Sequence, residues 1–419
     1  MITNNNSESK QNERKVEHNY IFSKANVNMG HQPEFDYLKT LDIFLMILLH
    51  VYDNYSKGYI YHIIDFLSFI CGAAGLMFLM GIGMKYSRHH EPKNYISRGV
   101  VLLTMGQYVN LIRNALPNII AWWATGNKKF IARALLVLQA DALTFAGISF
   151  LFLALLKKIK ASDICILFIG IIMNFSAYPL FKIMKQPNSY LLKQLLGFFV
   201  VTKAEAYFPL CSYFIFVAFG YWLGGIFQKI ANRDKFYNLI LIFCLPISTL
   251  YYYIRSHYNL RMLPEYFTEE DYILSPGPDA IATCMANLTS LAIFHKIDKI
   301  LKGKTPEFII HSGKNLNQYY ILSYFFILPI NTFLRATRGE DFPSKMKYPT
   351  LFALTCLFIS RILIDINDNY IHLTIFALKN PMRNFVFSLI WIMTVISVIY
   401  IYPKVEVYAT IWNNYLYET

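Results

Sequence analysis

The chain has 419 residues, of which 55% are hydrophobic, 17% aromatic and only 16% charged, against ~25% charged in soluble domains. A cytosolic protein this apolar would leave much of its greasy surface facing water, and disorder over most of the length would need low hydrophobicity, so both are excluded; 19 Gly and 6 Cys also exclude collagenous and disulfide-stapled classes. The net charge of +13 does not point to nucleic acid, because Lys and Arg lie in short connections between apolar blocks, where the positive-inside rule uses them.

Residues 1–34 are polar and rich in Asn, Glu, Lys and Ser. With no apolar core, they read as a disordered cytoplasmic tail rather than a cleavable signal peptide. A first span is expected to end at Asn54. Further apolar blocks follow at 66–84, 98–121, 134–156, 164–181, 206–228, 236–254, 280–297, 315–334, 348–366 and 384–403. Most are near the ~20 residues that cross a bilayer as a helix. The pattern predicts an all-α, polytopic membrane protein of about eleven transmembrane helices, since a β-barrel would show short alternating segments instead. One membrane domain covers 35–403, with a short tail at 404–419. Two connections are long: 182–205, whose stretch 190–202 reads as an interfacial or re-entrant helix, and 255–277. The six cysteines are scattered through the apolar blocks without a Cys-x-x-Cys pair, and read as core residues rather than metal ligands or disulfides. No metal-ligand spacing is found.

Counting spans from a cytoplasmic amino terminus puts Lys85, Arg88, Lys93, Arg98, three Lys at 157–160, Lys229, Arg233, Lys235 and four Lys at 296–304 on the inner side. This bias favours an amino terminus inside, and a plasma (inner) membrane location with many passes.

The first span is anomalous. Its uncharged core, 43–52, is too short to cross alone. A helix over 35–54 is long enough but carries Asp36, Lys39, Asp42, His50 and Asp53. Such residues are costly in lipid and should face protein or a water-filled cavity. Lys39 and His50 are eleven apart and share one stripe, roughly 16 Å apart along the axis; Asp42 and Asp53 share a second. His50 and Asp53 are three apart and can touch. A second pair, His62 and Asp65, opens the next span. A histidine held by a carboxylate is a common build for a general base, and Asp53 and Asp65 would orient the rings. The bland alternative is that such histidines cap polar groups at headgroup level. Arg113, Asp141, Glu205, Asp279, Arg361 and Asp365 also interrupt or flank apolar blocks, and pairing with one another inside the bundle is expected.

Phe35-Asp36-Tyr37-Leu38-Lys39-Thr40, continuing to His50, resembles the opening of the integral-membrane acyltransferase superfamily. That opening, shared by membrane acyltransferase family three, reads Asp-x-Leu-Arg-Gly with a histidine eleven residues after the arginine. Here Lys39-Thr40 replaces Arg-Gly, keeping the charge but losing the bidentate fork. The run from Met46 to Asp53 is most similar to the branch related to heparan-α-glucosaminide N-acetyltransferase, which includes bacterial relatives. That branch places its catalytic histidine after the first span, about where His62 lies. Softer similarities follow at 74–83, 138–147, 208–224 and 312–319.

The resemblance implies transfer of an acetyl or other short acyl group from cytoplasmic acyl-coenzyme A to a hydroxyl or amine of a saccharide or other envelope acceptor. It also implies helices around a central tunnel. His50 or His62 would act as the base, with Lys39, Lys85, Arg88 and Arg98 meeting the anionic donor. Asp36, Asp42 and Asn54 are placed as acceptor-binding residues. Acyl-coenzyme A would be a donor substrate, no metal is implied, and the remaining partners are the lipid bilayer and, allowed for, a second copy of the chain. The competing class is a multi-span transporter or flippase of a lipid-linked or small polar substrate, which equally uses many spans and buried charges.

Overall fold

A computed structural model describes residues 20–55, 59–184, 189–202, 207–257, 277–371 and 380–406. Among these residues the chain is all-helical; its one extended contact is the isolated bridge between Phe22 and Ile230. The helices are α1 (Pro33–Asn54), α2 (Tyr59–Ile70), α3 (Gly72–Tyr86), α4 (Pro92–Asn110), α5 (Leu116–Thr125), α6 (Lys128–Arg133), α7 (Ala142–Lys158), α8 (Asp163–Ile183), α9 (Tyr190–Gly197), α10 (Leu210–Phe227), α11 (Arg233–His257), α12 (Gly277–Ile300), α13 (Glu307–Lys314), α14 (Leu316–Arg338), α15 (Pro349–Ile366) and α16 (Asn380–Glu406).

Their ends follow local chemistry. Pro33, Pro92 and Pro349 open α1, α4 and α15, where a missing N–H costs nothing. Asp141, Ser162 and Ser189 accept from the backbone N–H of Thr144, Cys165 and Leu192, capping α7, α8 and α9. Gly126, at φ +68°, closes α5 in the left-handed region that favours glycine.

Eight stretches are long and apolar enough to cross a bilayer: Ile60–Tyr86, Lys128–Lys158, Asp163–Ile183, Leu210–Phe227, Arg233–Arg255, Gly277–Ile300, Pro349–Tyr370 and Pro381–Lys404. Every apolar block expected from the sequence is mainly helical among the described residues, although 134–156 breaks at 139–141 before α7 begins. The expected number of about eleven spans, however, becomes eight on length and apolarity. The other three blocks form α1, the continuous run 92–125 and α14, and polar residues lower their apolarity. Of these, α1 lies inside. On α1, the charged residues Glu34, Asp36 and Asp42 are buried together with Leu38, Ile43, Ile47 and Val51. Around it pack α3, α12, α13, α14 and α15. The outer helices instead expose Phe168 and Ile172 on α8, Ile242, Phe243 and Leu250 on α11, Phe358 on α15 and Ile399 on α16, as a lipid-facing surface requires.

Glycine sets the closest approach. A Cβ on Gly220 of α10 would stand 2.0 Å from the Phe78 carbonyl of α3, and one on Gly81 would stand 2.2 Å from the Val217 carbonyl. Backbones this close gain dispersion contact that side chains would forbid.

One expectation about the connections needs revision. Residues 20–32, assigned from sequence to a disordered tail, lie against one end of the bundle: Ser23 N–H donates to Lys229 O, and Val27 and Asn28 N–H to Gln228 O. Residues 1–19 lie outside the described residues, as do 258–276 of the long second connection and 407–419 of the tail. The stretch 190–202 does hold a short helix, α9. Its Gln194 is buried, donates to Leu135 O and accepts from the Tyr402 hydroxyl of α16.

Candidate functional site

The three polar helices meet at His50. Its Nε2 is hydrogen-bonded to the hydroxyl of Tyr324 on α14. The two rings lie 4.7 Å apart between centroids, tilted by 49°. The Arg113 guanidinium stands over the Tyr324 ring, 4.6 Å from its centroid. Arg113 forms an ion pair with Asp141 at 3.3 Å, the two side chains only 4% and 3% exposed, and donates to Gln139 Oε1 at 3.0 Å. Asp141 is held from three directions. Its Oδ1 accepts from Thr144 N–H at 2.9 Å and from the Thr144 hydroxyl at 3.0 Å, and its Oδ2 accepts from the Tyr320 hydroxyl at 3.2 Å. Tyr320 and Tyr324 are four apart on α14, so they present adjacent hydroxyls on one face.

Arg113 reaches this point through a backbone irregularity. Residues Leu111–Ala115 form a π turn between α4 and α5. The cause is in the sequence: Pro117 has no N–H to offer the carbonyl of Arg113, and its ring would clash with that carbonyl in a regular α-helix. The helix widens there, as π turns at functional positions often do.

The ends of α1 frame this cluster. Near its amino end Asp36 is buried, bonded to His31 at 2.6 Å and to Lys39 at 3.2 Å, and lies against the bare face of Gly313 on α13. At its carboxy end the backbone O of Asn54 accepts from Asn331 Nδ2 at 2.5 Å. Asn331 accepts in turn from Arg335, which donates to Glu340; Arg133 closes the clamp on the same carboxylate at 2.8 Å. Burial pushes the Glu340 carboxyl up, but the Arg133 and Arg335 guanidiniums outweigh it and hold it below its ordinary value.

The residues singled out in the sequence are distributed as follows. His50 is part-buried within the bundle, and the group on its ring is Tyr324, from a helix 274 residues away. Asp53 is exposed, and so are His62 and Asp65 on α2. Asp42 is fully buried on α1, and neither of its carboxylate oxygens receives a hydrogen bond among the described residues. Asn54 donates to His50 O at 2.9 Å within α1. Lys39 is occupied by Asp36, and Lys85 pairs with Asp163 at 2.5 Å. Lys85 also lines a cavity of about 590 Å³ with Asn26, Trp222, Gln228 and Lys229. Arg88 and Arg98 are exposed. All three described pairs form, but only Arg113 with Asp141 is buried on both sides; Arg255 with Asp279 is part-buried and Arg361 with Asp365 lies nearer the surface; Glu205 lies outside the described residues. Tyr324, Tyr320 and Gln139 went unnoticed in the sequence. Their only signal was the four-residue spacing of two tyrosines in an apolar helix.

No family model, no curated protein and no solved structure matches this chain.

Proposed function

We propose that the protein is a membrane-embedded acyltransferase that uses His50 to accept the acceptor's proton, within about eleven spans that enclose a tunnel along α1. The carrying observation is the hydrogen bond between Tyr324 and the part-buried His50 ring, backed by the buried Arg113–Asp141 pair. A neutral pair behind Tyr324 leaves room for positive charge on the imidazole, whereas a lone guanidinium would oppose it.

Because Tyr324 occupies Nε2, the proton travels through its hydroxyl. The acceptor oxygen or nitrogen attacks the thioester carbonyl while its proton passes to the tyrosine oxygen and the tyrosine proton to His50. Collapse of the adduct breaks the C–S bond, and the imidazolium returns the proton by the same route to the coenzyme A thiolate. Arg113 over the Tyr324 ring favours the negative charge that builds on the hydroxyl during this exchange. The anionic donor approaches near Lys39 of α1, where Lys85 at the end of α3, Arg88 just after it and Arg98 on α4 would meet it. Exposed Arg88 and Arg98 meet its phosphates, and Lys85 stands in the adjoining cavity. The acceptor is an envelope saccharide or similar molecule at the other end.

The test is transfer of label from acetyl-coenzyme A by purified protein, with release of free thiol measured in parallel. His50→Gln should lower the rate by about 10²–10⁴-fold. Tyr324→Phe should lower kcat with little change in KM for the donor, and His62→Ala should stay near wild type. Turnover that survives His50→Gln refutes the proposal and leaves the transporter reading.

A further inference from the structure

Asp42 belongs to a different constellation from His50. It sits eight residues earlier on α1, about 12 Å away along the axis. Its side chain is fully buried, and both carboxylate oxygens lack a hydrogen-bond donor among the described residues. No basic side chain there is paired with it; the nearest lysine in sequence, Lys39, is bonded to Asp36. A buried carboxylate without donors or counter-charge is too costly to persist as a bare anion.

The surroundings of Asp42 are also rich in oxygen. A Cβ on Gly75 of α3 would lie 2.8 and 3.0 Å from the two Asp42 oxygens and 2.8 Å from Asn287 Oδ1 of α12. Three oxygens from two helices thus converge on the bare face of a glycine in a third. Asn287 is oriented for this: its amide nitrogen donates to Thr283 O at 2.9 Å, which turns the amide oxygen the other way. Cys71 and Ser290 flank the spot, 3.6 Å apart.

We infer that Asp42 and Asn287, packed against Gly75, form a binding site for one dehydrated monovalent cation, Na⁺. A single carboxylate matches a single positive charge, whereas divalent ions usually gather more carboxylates or keep water. Carboxylate and amide oxygens are the hard ligands that such a cation prefers. Where membrane proteins bind Na⁺ between helices, oxygens presented by neighbouring helices supply the cage. The site joins α1, α3 and α12, so its occupant ties the His50 helix to two of its neighbours.

The experiment uses the purified full-length chain in detergent. Binding of ²²Na⁺ is measured directly, and thermal unfolding is followed in NaCl, KCl or choline chloride at one ionic strength. Wild type should bind close to one Na⁺, displaced by unlabelled NaCl and not by KCl. Its unfolding midpoint should rise with NaCl alone and saturate, as linkage to a folded-state ligand demands. Asp42→Asn should abolish both effects. Gly75→Ala places a methyl against movable side-chain ends, so the protein should still fold, yet it should lose Na⁺ binding. Asn287→Ala should weaken binding by about tenfold or more. Absence of Na⁺ binding to folded wild-type protein overturns the inference, as does binding that survives in both Asp42→Asn and Gly75→Ala. A midpoint that ignores Na⁺ but rises on acidification also overturns it, with a proton as the counter-charge.

Discussion

Replacing Asp141 tests how the polar core is held. The carboxylate does two jobs: it caps α7 through Thr144 and neutralises Arg113. Asp141→Asn keeps an oxygen for the cap but removes the charge. With Arg113 only 4% exposed, an uncompensated buried guanidinium costs ~3–5 kcal/mol. Asp141→Ala removes the cap as well, adding ~1 kcal/mol. Arg113→Met with Asp141→Asn removes both charges, and most of the loss should return, because paired charges replaced together are often nearly neutral. Unfolding in mixed micelles, read as free energy for wild type, Asp141→Asn, Arg113→Met and the double variant, gives the coupling directly. If Asp141→Asn matches wild type, or if the double variant is as unstable as the sum of its singles, the pair is not what stabilises this region.

Other contacts carry their own expected outcomes. Gly220→Ala should destabilise by about 1–3 kcal/mol and separate α10 from α3, measured by the same unfolding curves, since its Cβ meets backbone rather than a movable side chain. The Glu340 clamp should be pH-sensitive. Its carboxyl is held below the ordinary 4.5, so its stabilisation is complete above that value and is lost as pH falls through the lower folded one; proteolysis of the 339–348 connection should accelerate there, and Glu340→Gln should remove that dependence. Arg88→Glu with Arg98→Glu should raise KM for acetyl-coenzyme A and flatten its salt dependence while leaving kcat nearly unchanged.

The helices were legible because apolar runs of bilayer length have few alternatives; the expected blocks are mainly helical, and the break at 139–141 inside one of them was not foreseen. The anomaly of the first block was legible too, since five ionisable residues in one helix demand an interior position. What misled was distance along the chain. His-x-x-Asp spacing suggests a partner one turn away, but His50 meets a tyrosine from a far segment, and Asp53 faces outward. A tyrosine in an apolar helix carries no mark of the polar atom it meets, because its ring alone satisfies the hydrophobic pattern. The second pair, His62 and Asp65, shows the converse: the spacing is sound, yet helix α2 turns both to the outside.

The π turn at Leu111–Ala115 has a consequence for how this protein can change. Each residue added to a helix rotates the remainder of that helix by about 100°, so the widened turn sets the azimuth of Arg113 relative to the segments on either side. A neutral proline thereby steers a charge four residues before it. Variation at Pro117 could retire or re-aim the guanidinium while every ionisable side chain in the cluster stays the same.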